Sequence, residues 1–280
     1  MGNVKSTGRR FGKTFSAATA LARGPLRLVL PFVLLAGGLG WGLQAAWQRW
    51  GVPVTTSERY LLPADQMVVT PQPKWIHANV KDEVIRDGQL ADLQLLDPHL
   101  TEKITRAFTL HSWVAKVESV RKEFPARITV ELQYRQPVAM VEVSSSTGPG
   151  LFFIDKAGVL LPSDDFALRQ TQDFLRIQAP HTAPAGVYGT SWGDKRIERA
   201  ALLAETLADH WQALKLYRLH VLELPGKDLV FELETKDGQT VRWGHAPGEE
   251  KPPERSTEEK IKFLQAAPVE KLPTTVDGLP

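Results

Sequence analysis

Hydrophobic and polar positions follow two regimes along this chain. An uncharged apolar run extends from Leu28 to Leu43 and continues through Gln44-Ala45-Ala46-Trp47, after which apolar and polar residues are mixed. About twenty helical residues at roughly 1.5 Å each reach roughly 30 Å, so residues 28–47 are expected to form one transmembrane helix. Beyond it, Gly51 to Pro73 is rich in Pro and Thr and reads as a linker with a short strand at Met67–Val69. Trp75–Val80 is expected to be a first strand. Asp97-Pro98 marks a helix start, and Leu100, Ile104, Ala107 and Phe108 recur on one face of that helix. Val114–Phe124 is extended, with valines three apart at 114, 117 and 120, a spacing that predicts a bulge. After the Pro125-Ala126 turn, Ile128, Val130, Leu132 and Tyr134 alternate with polar residues as a half-buried strand.

From Pro137 the pattern shifts to strands with turn punctuation. Leu151–Ile154 and Val159–Leu161 flank Asp155-Lys156-Ala157-Gly158 as a hairpin. Phe174–Gln178 adds a strand, and Asp194–Leu214 a helix whose apolar face runs from Ile197 to Leu214. Leu219–Leu224, Leu229–Thr235 and Gln239–Trp243 are strands, the last two joined at Asp237-Gly238. Ser256 and Glu259 form a capping box for a short helix through Leu264. From Pro268 onward the tail is too polar and Pro-rich to fold unaided. The expected fold class is α+β: a single N-terminal transmembrane helix, a small β-α-α-β-β domain, then a β-rich domain with one long and one short helix.

Charge orients this plan. The stretch 1–27 holds Lys5, Arg9, Arg10, Lys13, Arg23 and Arg27 and no acid, so the positive-inside rule keeps it cytoplasmic and places the remainder outside. Trp41, Trp47 and Trp50 suit the membrane interface, which favours an uncleaved signal-anchor over a cleaved signal peptide. Gly38 and Gly42 form a GxxxG pair, for which a glycine-tolerant span is the plainer reading than a helix contact. Met1-Gly2-Asn3-Val4-Lys5-Ser6 matches a myristoylation pattern but is too short to be more than coincidence. The 280 residues are 42% hydrophobic and 24% charged with a formal net charge of +2, which argues against a broad nucleic-acid surface. With zero cysteines, disulfides, Cys-ligated zinc and thiol nucleophiles are excluded.

The ordered set Trp113-Val114, Val117, Val120, Arg121, Pro125, Ile128 to Leu132, Tyr134-Arg135-Gln136-Pro137-Val138-Ala139 and Ile154-Asp155 to Gly158-Val159 resembles the FtsQ/DivIB family of bacterial cell-division proteins. Trp113, Val114, Pro125, Arg135, Pro137, Asp155 and Gly158 carry the motif. The resemblance implies a cytoplasmic tail (1–27), an anchor (28–47), a linker (48–73), a POTRA-like domain (74–136), an FtsQ-type β domain (137–266) and a disordered tail (267–280). It implies a non-enzymatic, single-pass scaffold of the bacterial cytoplasmic (inner) membrane, with its C-terminal domains periplasmic and located at the division septum. Its partners would be FtsB/DivIC- and FtsL-type coiled-coil proteins, with FtsW- or FtsK-type proteins beside them. No cofactor, metal, small-molecule substrate or nucleic acid is implied. In the family an edge strand near the C-terminus pairs with a partner segment by β-augmentation. The corresponding residues here are Val230, Glu232, Thr240 and Arg242, with Thr274 and Val276 as a faint match to the last strand. Two departures stand out: Asp82–Asp92 marks the first POTRA helix poorly because of Gly88 and its charges, and the last strand is short.

Other chemistry is weaker. Gly189-Thr190-Ser191-Trp192-Gly193 spells a nucleophile elbow, but no buried strand precedes it and no parallel β-α array surrounds it. Ser191 and Asp194 as a capping box for the following helix explain it better. The seven histidines show no H-E-x-x-H or paired helical spacing, and Asp164-Asp165 reads as a solvated turn. Two rival functions remain: an anchored POTRA protein of envelope assembly or export, and an anchored envelope hydrolase using Ser191.

Overall fold

The computed structural model describes residues 26–51, 61–62, 66–91, 93–123, 126–145, 148–166, 168–268 and 271–278. The chain divides into two compact units, residues 1–61 and 62–280.

The first unit holds helix α1 (Leu26–Ala46), followed by a π turn at Trp47–Gly51. Among the described residues no helix is long and apolar enough to cross a membrane, so the expected transmembrane helix over 28–47 is corrected to α1, which gives way to the π turn at Trp47. Its composition gives the physical reason. Pro31 lies inside α1, and Gly37, Gly38, Gly40 and Gly42 supply no side chain to the apolar surface of its second half. Nothing lies within 4 Å of a Cβ built at Gly38 or Gly42. The basic stretch 1–25, with its myristoylation pattern, lies outside the described residues.

The second unit opens with a three-stranded sheet in the order β1–β3–β2, formed by β1 (Met67–Val69), β2 (Val114–Glu123) and β3 (Arg127–Tyr134). Strand β1 runs parallel to β3, with Met67 beside Ile128 and Val69 beside Val130. Strands β2 and β3 are antiparallel, and irregularities between Val114 and Lys116 and between Val117 and Ser119 supply the bulging that the valine spacing predicts. Ile128, Val130 and Leu132 are buried in alternation and meet α2 (Val80–Asp87) and α3 (Leu100–Thr109) over Met67, Val80, Val84, Ile104, Phe108 and Trp113.

The β-α-α-β-β order therefore starts at Met67, not at the expected strand Trp75–Val80. There the Gln72 amide donates to the Ile76 and Ala78 carbonyls (2.7 and 2.6 Å) and accepts from the Val80 amide (3.2 Å). A segment wound about one side chain cannot also pair in a ladder. Helix α2 forms despite its charges because Asn79 caps it, accepting from the Asp82 amide, while Gly88 lies past its end. Helix α3 begins after His99 instead of at Pro98; Asp97 accepts the His99 amide at 2.8 Å.

A six-stranded sheet follows in the order β9–β8–β7–β6–β4–β5. Its strands are β4 (Pro137–Ser145), β5 (Gly148–Asp155), β6 (Leu175–Gln178), β7 (Leu216–Leu224), β8 (Asp228–Thr235) and β9 (Thr240–Gly244). The expected hairpin forms as a short one. Leu151–Ile154 pairs mainly with β4, and after the Asp155–Gly158 turn the chain returns antiparallel: the Asp155 amide donates to the Val159 carbonyl (3.1 Å), the Leu161 amide to the Phe153 carbonyl (2.8 Å), and Ile154 bridges Leu160. Strand β4 shows no alternation in sequence because it is buried on both sides: Ala139 and Val141 enter one core, Met140 the other.

Helix α4 (Lys195–Thr206) is shorter than the expected 194–214. The chain after it stays in turns yet still buries Leu207, Trp211 and Leu214. Asp194 caps α4 alone, accepting from the Arg196 amide, so the expected Ser191–Asp194 capping box is corrected. Helix α5 (Thr257–Ala266) has the expected box: Ser256 accepts from the Glu259 amide, and Glu259 accepts from the Ser256 amide at 2.9 Å.

Candidate protein-interaction edge

Strand β9 ends the six-stranded sheet, and an end strand exposes a row of backbone donors and acceptors. Here the chain's own tail occupies that row. Arg242 donates its amide to the Thr274 carbonyl (2.8 Å), and the Val276 amide donates to the Arg242 carbonyl (2.9 Å), forming a parallel bridge centred on Thr275. The tail from Pro268, expected to stay unfolded, is therefore docked over residues 271–278, with Val276 and Asp277 fully buried. Two anchors hold it. Arg242 Nε lies 3.1 Å from the Asp277 carboxylate, and the Arg255 amide donates to the Asp277 carbonyl (2.8 Å). The parallel pattern turns the Thr274 carbonyl and the Val276 amide inward, which leaves the Thr275 amide and carbonyl facing outward.

Of the residues expected to bind a partner, Arg242, Thr274 and Val276 come together at this edge, with Thr240 at the start of β9. Glu232 lies one strand behind, opposite Arg242, and Val230 is buried on β8 beside Leu222. Val230 and Val276 are core residues, and the Val276 amide and carbonyl are already bonded to the Arg242 carbonyl and the Arg255 guanidinium.

The motif residues form a second constellation. Trp113 is buried and its indole donates to Asp165 (2.6 Å); the Arg135 amide donates to the Trp113 carbonyl (2.8 Å). Arg135 Nη1 meets Asp155 at 2.7 Å, and the other Asp155 oxygen accepts the Ala157 and Val159 amides. Gly158 adopts a φ of +70° and lies against Glu198, where an added Cβ would come within 3.1 Å of the helix backbone. Val114 is buried and Pro137 opens β4 opposite Asp155; Pro125 lies outside the described residues. These residues join the two hydrophobic clusters and so have a structural role.

Ser191 donates to Glu198 (3.0 Å) and accepts from the Gly193 amide (3.2 Å) in a loop entering α4. A carboxylate beside the hydroxyl with no histidine bonded to it is not the arrangement that activates a serine nucleophile.

Two charged clusters escaped the sequence reading. On the sheet face opposite α4, a groove of about 620 Å³ is lined by Glu142, Arg176, Arg218 and His220 among others. Glu142 accepts from Arg176 (3.2 Å) and Arg218 (3.1 Å), while Arg218 and His220 both meet Glu234 (2.9 and 2.7 Å). His220 and then Arg218 hold the Glu234 carboxyl below the usual range, although desolvation opposes them. The cluster satisfies its own charges across four strands.

The other cluster lies where β9 ends. His245 Nδ1 meets the fully buried Glu254 carboxylate at 2.5 Å and Nε2 meets Asp228 at 3.0 Å. Lys260, also fully buried, donates to Glu254 (2.6 Å) from beside the Trp243 ring, and Lys251 reaches Asp228 (2.5 Å). Burial disfavours a charged His245 ring, but its bonds to Asp228 and Glu254 outweigh that and raise its pKa above the usual histidine value. Burial likewise opposes the Glu254 charge, yet Lys260 and the His245 amide and ring keep its carboxyl below the usual range. In sequence these residues are spread from 228 to 260 without motif spacing, so only the fold reveals them.

No family model matches the chain. It is similar to the cell division protein FtsQ of Anaeromyxobacter sp. (strain K), with 27% identity over 177 residues that cover 58% of this chain and 54% of that protein. The chain therefore spans about half the length of this curated relative.

Proposed function

We propose that this chain serves bacterial cell division as a non-enzymatic scaffold, working outside the cytoplasmic membrane at the septum to gather membrane-anchored division proteins of the FtsB/DivIC and FtsL type. On this reading the β-α-α-β-β layer of β1, α2, α3, β2 and β3 is a POTRA-type module, and the six-stranded sheet is the recruiting one. The observation that carries the reading is the edge at Thr275. There the tail bridged to the edge strand β9 presents an outward amide and carbonyl, the chemistry by which an added strand binds.

Depleting the protein is expected to give filamentous cells, and a reporter fused after Pro280 is expected to be active only outside the cytoplasm. Thr275→Pro removes the outward amide while leaving both inward tail bonds in place. It is expected to reduce copurification of coiled-coil division partners from crosslinked membranes, and Ser191→Ala is expected to leave it unchanged. Envelope-assembly defects without filaments would overturn the division role, and undiminished copurification with Thr275→Pro would overturn the edge.

A further inference from the structure

The tail that forms this edge is braced from beneath by the buried charges around His245. Gly244 lies two residues after Arg242, which carries the tail bonds, and just before His245, which carries the charge cluster. Its φ is +91°, and an added Cβ would collide with the Glu254 carboxylate and come within 2.9 Å of Asp277 Cβ. Glu254 and the tail thus both crowd the point where a side chain at Gly244 would begin. The next residue, Arg255, donates its amide to the Asp277 carbonyl and its guanidinium to the Val276 carbonyl (3.3 Å). Whatever moves Glu254 moves the residue that clasps the tail.

Every element around His245 presents a charge. Asp228 comes from the start of β8, Lys251 and Glu254 from the loop before α5, and Lys260 from α5 itself. Arg242 on β9 pairs with Asp277 on the tail, next to Gly244. With a carboxylate on each ring nitrogen, the ring donates twice only when protonated, and the neutral ring must give up one bond. Loss of the proton also leaves the buried Glu254 with one fewer positive neighbour, a condition that low-dielectric surroundings penalise.

We propose that His245 is a latch whose protonation clamps the 247–255 loop to β8 and β9, and through Arg255 holds the tail segment Thr274–Asp277 on the sheet edge, so that deprotonation releases the tail. That release would withdraw a partner's docking edge rests on the scaffold reading above; the latch itself does not. Because the folded-state pKa is raised, the clamp is complete below the ordinary histidine value near 6.5 and is lost as pH rises through the raised value.

Amide hydrogen exchange on the purified full chain from pH 6 to 9, corrected for the intrinsic pH dependence of exchange, tests the latch without any partner. Protection of the Arg242 and Val276 amides is expected to fall by about tenfold for each unit by which the His245 pKa is raised, while the β7 amides stay protected. His245→Gln is expected to lower tail protection at pH 6 to about the level the wild type reaches at high pH and so flatten the profile, and Asp228→Asn to move its midpoint to lower pH. His220→Gln, which alters the other charged cluster, is expected to keep the wild-type profile. Protection of Val276 that does not change with pH would overturn the latch. So would a wild-type profile retained in His245→Gln or, should that variant fail to fold, an unmoved midpoint in Asp228→Asn. Loss of partner capture with Thr275→Pro alongside flat exchange would separate failure of the latch from failure of the scaffold reading.

Discussion

Arg135 directly follows β3 and Asp155 closes β5, and the 2.7 Å contact between their side chains ties the three-stranded sheet to the six-stranded one. The two residues are not equivalent. Asp155 also accepts the Ala157 and Val159 amides, so it organises the turn after β5 as well as the ion pair. Replacing it with Ala orphans a largely buried guanidinium and two amides, for an expected loss of about 3–5 kcal/mol. Arg135→Ala leaves a carboxylate that still has two donors, so its cost should be smaller, about 1–3 kcal/mol. Urea denaturation of both single variants and the double variant checks the order, and equal costs would place the anchor in the ion pair alone.

Trp113 tests the same junction from the helical side. Its side chain is buried among the α2–α3 core residues, its indole bonds Asp165, and its ring lies 5.9 Å from that of Phe166. Trp113→Ala is expected to cost about 3–5 kcal/mol, and Trp113→Phe less but still measurably, because Asp165 loses its donor. Thermal unfolding followed by tryptophan-independent far-UV dichroism reads both.

How far the fold could be read in advance depended on how many sides of each element are buried. Strand β3 shows one wet and one dry side, and its alternation was plain from Ile128 to Tyr134. Strand β4 has core on both sides, so Ala139, Met140 and Val141 gave no period to read. Trp75–Val80 looked like a strand because it is apolar, and nothing local shows that Gln72 would wrap it. The tail conceals its docking for a different reason. Its polarity is real, but Asp277 meets Arg242 and the Arg255 amide, contacts made only after β9 and the loop before α5 are in place. The edge residues Arg242, Thr274 and Val276 were legible through the family resemblance, whereas the His245 cluster was not, because ion pairs between distant segments leave no periodic trace.

Gly244 is the point at which backbone conformation and the buried charges meet. A positive φ already disfavours any other residue, and an added methyl would press on Glu254. Gly244→Ala is expected to destabilise by more than the roughly 1 kcal/mol of a strained exposed turn, whereas Gly226→Ala, also at positive φ but with nothing within 4 Å, should stay near that value. Paired denaturant midpoints decide between strain and collision.

Acid should loosen this region as alkali does, but through its carboxylates. Lys251 and then His245 hold the Asp228 carboxyl below its ordinary value, and Glu254 is also lowered. Groups with depressed folded-state pKa values contribute stability that is complete above the ordinary carboxylate range and is lost as pH falls through the depressed values. The urea midpoint of the wild-type chain should therefore hold from pH 6 to about 5 and fall below about 4. Glu254→Gln should start lower at pH 6 and show a shallower acid decline; an identical acid slope in wild type and variant would assign acid sensitivity to other carboxylates.

Deleting residues 273–280 asks what the tail contributes to the sheet. Burial of the Val276 side chain alone is worth about 1.5–3 kcal/mol, and the deletion also removes the acceptor of the Arg242 amide and the partner of its guanidinium. The expected result is a lower thermal midpoint, lost mainly from β9 and α5, whose Leu264 and Leu272 neighbours share that core. The bared edge of β9 would then present unpaired backbone from Thr240 to Gly244, a template for pairing with a second copy. Sedimentation of the shortened chain is expected to show concentration-dependent self-association that the full chain lacks, and Arg242→Pro in the shortened chain should suppress it by removing the outward donor. A shortened chain that stays monomeric with an unchanged midpoint would mean that the tail adds neither stability nor protection to this edge.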